Sequence, residues 1–90
     1  MIIDSKGIIQ KLDKTSVLDF LKAENRSLIL YGMGENGEFV YEMLRMHHIP
    51  VAAICDGSPE KYGKKVDSLI ITNWENALAM YPNSLMWITI

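Results

Sequence analysis

Ser27-Leu28-Ile29-Leu30-Tyr31 is an unbroken apolar run that stops at Gly32. It is too short for a helix. A segment apolar on both faces fits a strand covered on both sides, as inside a parallel sheet. The next residues, Gly32-Met33-Gly34-Glu35-Asn36-Gly37, form a G-x-G-x-x-G loop. From Glu35 to His48 there is no proline and, after Gly37, no glycine. Val40, Met43, Leu44 and His47 fall on one face of that stretch, which predicts an amphipathic helix stopped by Pro50. A strand, a glycine turn and a helix in direct succession leave the chain few ways to fold.

The flanking segments extend the pattern. Residues 1–14 read as a lead-in with at most a short element. Ser16 is the expected N-cap of a first helix, with Asp19 three residues on and Val17, Phe20 and Leu21 as its apolar stripe. Pro50 to Cys55 is a second short apolar run. Residues 56–65 carry Gly57, Pro59 and Gly63 and read as a loop. Leu69-Ile70-Ile71 predicts a third strand, Thr72-Asn73-Trp74-Glu75 a capping box for a third helix, and Leu85 to Ile90 a fourth strand. Strands alternating with helices imply an α/β fold with right-handed crossovers. The expectation is a Rossmann-like three-layer fold over 15–90, with four mostly parallel strands in the order 3-2-1-4.

At 90 residues the chain has room for one domain. Its formal net charge of −2 offers no basic footprint for nucleic acid. The single cysteine, Cys55, can build neither an internal disulfide nor a C-x-x-C metal site, which points to a reduced, cytoplasmic setting. No basic segment precedes a long apolar stretch at the N-terminus, so no secretory signal is read. No apolar run approaches the about 20 residues of a membrane span. The fourth strand runs to the last residue, and ligands of such sheets bind beyond the carboxyl ends of the strands. The chain is therefore expected to be a fragment of a longer protein, or else to be covered by a partner such as a second copy.

Each residue type in the glycine loop has a physical reason. Gly32 permits the tight turn, Gly34 lets a diphosphate approach the backbone, and Gly37 lets the helix pack on the strand. The first N–H groups of the helix have no partner within it, and the helix dipole favours an anion there. Asp56 lies 24 positions after Gly32, near the roughly 20 expected of the acid that takes a ribose diol. Its charge favours NAD over NADP. Glu35 opposes a phosphate unless it serves the helix N-terminus instead. The expected cofactor-binding residues are thus Gly32, Met33, Gly34, Glu35, Asn36, Gly37 and Asp56, with no catalytic or metal residue. The bland alternative is a strand-to-helix turn without a ligand. S-adenosylmethionine ranks below nucleotides, because Tyr31 stands where methyltransferase loops usually carry an acid.

Tyr31 to Gly37, Ile54-Cys55-Asp56-Gly57-Ser58-Pro59-Glu60-Lys61-Tyr62-Gly63-Lys64 and Leu69 to Thr72 together resemble a Rossmann-like domain of bacterial sugar-modifying proteins. That family includes the N-terminal domain of UDP-amino-sugar acetyltransferases, with similar domains beside methyltransferases and in NAD-dependent sugar dehydratases. The resemblance covers about residues 27–90. It implies a nucleotide-sugar or NAD held by Gly32, Gly34, Gly37 and Asp56. Many relatives carry a second polar or acidic residue where this chain has Gly57, and the acyl-transferring β-helix has no counterpart here.

Other residues read more plainly. His47 and His48 point about 100° apart on a helix and cannot share a metal, so they read as helix-end charges. Cys55 reads as core. Lys61, Lys64 and Lys65 could reach a phosphate near Asp56, but solvated loop lysines are the commoner case and the one read here. Met33, Met43, Met46 and Met80 read as core filling, and Trp74 and Trp87 as packing for the third helix and fourth strand. The expected function is a nucleotide-binding module of a larger sugar-modifying protein. Its partners would be a small nucleotide ligand and a downstream catalytic domain or a homo-oligomer, with no nucleic acid and no membrane. The alternative is a structural or regulatory domain that acts in assembly without a ligand.

Overall fold

The computed structural model describes residues 1–4, 7, 9–10 and 14–89. The strands are β1 (Ile2–Asp4), β2 (Ile9–Gln10), β3 (Ser27–Tyr31), β4 (Ala53–Cys55), β5 (Lys65–Val66), β6 (Leu69–Ile70) and β7 (Ser84–Ile88). The helices are α1 (Lys14–Lys22), α2 (Glu35–Met46) and α3 (Trp74–Met80), with a 3₁₀ turn at Pro59–Lys61.

β3 takes the place its sequence demands. It runs parallel to β4 on one side and to β7 on the other, with Leu30 opposite both Ile54 and Trp87. Strand alternation sends Leu28 and Leu30 to one face and Ile29 to the other, and all three are buried. On the first face Leu28 joins Val17 and Leu21 of α1, Leu44 of α2, Leu85 and Ile2. On the second, Ile29 packs with Ala53, Cys55, Met86 and Ala77 of α3. Helices therefore stand on both faces of a mixed sheet.

The strand order is β2-β1-β7-β3-β4, and the expected 3-2-1-4 does not hold. Two local effects account for the difference. Leu69–Ile70 pairs antiparallel with Lys65–Val66 in a hairpin apart from the main sheet. A close partner across two turn residues, with Asp67 at φ 53°, closes a far shorter loop than pairing with β4. Among the described residues, strand pairing between this region and the main sheet is one parallel bridge, Cys55 to Thr72, while Val66 and Leu69 pack their side chains with Leu30 and Ile54. At the other edge, the segment read as a lead-in supplies β1, antiparallel to β7, and β2. Ile2 is buried against the α1–α2 side and Ile3 packs on the α3 side, which is the alternation of a strand rather than of a tail.

Element ends differ in detail. α1 begins at Lys14, so Ser16 lies inside it and is not its N-cap. The N-cap of α3 is Asn73, whose side chain accepts from the Asn76 N–H, while Thr72 Oγ1 accepts from Asn76 Nδ2. At the end of α2, His48 takes φ 58°, with His48 N–H bonded to Arg45 O and Ile49 N–H to Leu44 O. This is a Schellman closure with histidine in the position glycine usually fills. Among the described residues, no helix is long and apolar enough to cross a membrane.

The β3–α2 turn depends on two glycines for different reasons. Gly32 sits at φ 101°, a left-handed conformation that other residues rarely adopt. Gly37 is needed for space: a Cβ there would lie 1.9 Å from the Gly32 carbonyl oxygen, a backbone atom. Gly37→Ala must push α2 off the end of β3, and it is expected to cost at least about 3 kcal/mol of folding stability. Gly34→Ala, at φ −91° with only Lys61 Nζ 4.0 Å away, should cost no more than about 1 kcal/mol. Urea-unfolding midpoints of the two variants check the contrast.

Candidate functional site: the cleft at the glycine turn

A cleft of about 470 Å³ opens where β3, β4 and β7 end and α2 begins. Its walls are the glycine turn (Gly32, Gly34, Glu35, Asn36, Gly37), the segment after β4 (Asp56, Ser58, Lys61) and Thr89. Six of the seven residues expected from the sequence thus border one cleft. Met33 does not: its side chain is buried with Leu30, Ile54 and Ile71, and only its backbone faces this region. Gly34 is the N-cap of α2 without a side-chain cap bond. The first helical bond runs from Glu38 N–H to Gly34 O, so the N–H groups before it precede the helical ladder. Glu35 and Glu38 occupy the first turn, where negative charge complements the dipole.

Asp56 is the anchor of the cleft wall. Only 7% exposed, its carboxylate accepts the Met33 N–H at 2.7 Å on Oδ2 and the Ser58 N–H at 2.8 Å on Oδ1. Lys61 Nζ stands 3.5 Å from Oδ2 and donates to Met33 O at 3.2 Å. Burial raises the Asp56 pKa, but the Met33 and Ser58 N–H groups and the Lys61 ammonium outweigh it and hold the carboxyl below its ordinary value. The acid expected to take a ribose diol thus already ties the glycine turn to the strand end, and three of its roughly four lone-pair positions are directed at groups of the protein.

Of the three lysines read as solvated loop residues that could reach toward Asp56, Lys61 is the one that stands beside that carboxylate. A 3₁₀ turn with Pro59 at its start carries it back over the glycine turn, whereas Lys64 and Lys65 are exposed. The signal that could have found it is local: an Asp followed two residues later by Ser and then Pro starts a tight turn, and such a turn returns position 61 toward Asp56. Thr89 was missed. Its hydroxyl lies 3.0 Å from both the Tyr31 and Gly32 carbonyl oxygens, which fixes the exit of β3. Gly57 also gains a reason: a Cβ there would sit 2.9 Å from the Tyr31 hydroxyl.

The remaining candidates separate cleanly. Cys55 is fully buried, and desolvation pushes its thiol up to about 12, which suits core packing and not nucleophilic chemistry. His47 and His48 are exposed at the end of α2, and no His/Cys/Asp/Glu group able to hold a metal occurs among the described residues. Met33 is core, but Met46 and Met80 are exposed and fill nothing. Trp87 packs on the α2 side. Trp74 is 47% exposed and, with Ile3, Tyr31, Leu78, Met86 and Ile88, lines an apolar groove of about 380 Å³ on the α3 face of the sheet.

No family model matches the chain, and neither the curated proteins nor the solved structures yield a match.

The Asp56 geometry gives a pH test. With a depressed folded-state pKa, its contribution is fully present above the unfolded carboxyl value of about 4 and is lost as pH falls through the folded value. Wild-type stability should therefore drop below about pH 4. Asp56→Asn should lower stability at pH 7 by about 2 kcal/mol and show a shallower acid decline. Urea midpoints at pH 7 and pH 3 measure both effects.

Proposed function

We propose that this chain is a Rossmann-like nucleotide-binding module of a larger sugar-modifying protein of the cytoplasm. Its ligand, NAD or a nucleotide-sugar, lies over the glycine turn. The observation that carries the reading is the cleft itself. Gly34 leaves room at the start of α2, where a Cβ would meet only Lys61 Nζ, at 4.0 Å, beside a wall formed by Asp56, Ser58 and Lys61. Backbone N–H groups at a helix start, a nearby ammonium and a bare glycine are what a diphosphate requires. The module binds and orients, and the chemistry falls to a downstream catalytic domain.

A second reading, a ligand-free domain serving in assembly, has its own support. The Asp56 carboxylate has its donors within the chain, and the apolar groove beside α3 suits a partner surface better than a polar ligand.

Thermal shift with NAD, NADP, UDP-N-acetylglucosamine and S-adenosylmethionine separates the two. NAD or the UDP-sugar at about 100 times its Kd should stabilise the protein by about 2.7 kcal/mol. Gly34→Val, which points its side chain into the open space, should abolish the shift while the unliganded protein melts near the wild-type temperature. No shift with any compound would leave the assembly reading.

A further inference from the structure

We infer that Lys61 is the ligand-selecting residue of the cleft, and that its ammonium recognises a phosphate-bearing ligand by exchanging the Met33 carbonyl for a phosphate oxygen. The inference rests on the nucleotide-binding reading above and assigns within it a role that the glycine turn alone does not fill.

The argument is one of charge and position. Among the described residues, three ionisable side chains border the cleft: Glu35, Asp56 and Lys61. Two are acids, so Lys61 is the one lysine or arginine on the wall among the described residues. An anion entering without it would meet Glu35 in the first turn of α2, where the helix dipole would otherwise welcome it. Asp56 does not supply the selection. Its oxygens are taken up by the Met33 and Ser58 N–H groups, and its charge is offset by the same lysine.

The position of Lys61 suits the exchange. Its Nζ is 4.0 Å from where a Cβ of Gly34 would stand, directly over the open part of the turn. Its bond to Met33 O, at 3.2 Å, is to a neutral acceptor. An ammonium has three donors, so it can turn one to a phosphate oxygen and keep its approach to Asp56. A charged acceptor makes the stronger bond. Because Lys61 neutralises Asp56, a 2′-phosphate meets less repulsion than an unpaired acid would impose. Discrimination between NAD and NADP is accordingly weak in this cleft.

Isothermal titration of wild type, Lys61→Met and Lys61→Arg with NAD, NADP, UDP-N-acetylglucosamine and inorganic pyrophosphate tests this. At least one of these should bind wild type. Its affinity should fall about tenfold or more in Lys61→Met and stay within about threefold in Lys61→Arg, which keeps the charge. Equal affinity in wild type and Lys61→Met overturns the inference and leaves the nucleotide reading standing. Binding of none of the four to wild type overturns the reading, and the inference with it. Should Lys61→Met fail to fold, wild-type affinity between 50 and 500 mM salt decides. A decline with salt is expected of a phosphate held by an ammonium, and a flat profile overturns the inference.

Discussion

The burial of β3 on both faces is the constraint on which the structure depends. Ile29 and Leu30 are fully buried on opposite sides of the same strand, so neither face can be given to water. Each such side chain contributes about 2–3 kcal/mol on leaving water. The strand therefore needs a neighbour on each edge, here β4 and β7, and helices above and below. Because β3 is an interior strand parallel to both neighbours, its carboxyl end opens where Gly32 turns the chain into α2. The cleft follows from where the buried strand stops.

The cleft is held by polar contacts that tie separate segments together. Met33 is gripped twice, its N–H by Asp56 and its carbonyl by Lys61, so the glycine turn and the segment after β4 form one rigid corner. Thr89, at the end of β7, closes it from the third side through the Tyr31 and Gly32 carbonyls. With the Asp56 and Thr89 contacts already made, the corner loses little freedom when a ligand arrives, and Lys61 alone has a bond to exchange. The same contacts let the corner stand without one.

The two faces of the sheet are not covered alike. α1 and α2 close one side, while α3, with seven residues, covers chiefly the part over β3 and β4. Over β7 and β1 the face is open as the apolar groove. At its foot Ser84 is buried, with no hydrogen-bond partner for its Oγ among the described residues.

What the sequence determined by itself is everything that local physics controls. The double-faced apolar run of β3 and the helix that follows Gly37 are written in adjacent residues, and so are the turn at Gly32 and the close packing at Gly37; His47, read on the apolar face of that helix, lies exposed just past its end. Tertiary structure decided the rest. Leu69–Ile70 turned to a nearby partner because a short loop closes more readily than a long one. Ile2 and Ile3 became a sheet strand because β7, some eighty residues later, offered its edge. Asp56 and Lys61 acquired their roles only when folding brought them to Met33, 23 and 28 positions away in the chain. Spacing along a chain marks candidate residues, but which donor a carboxylate meets depends on distances that exist only after the backbone has closed on itself.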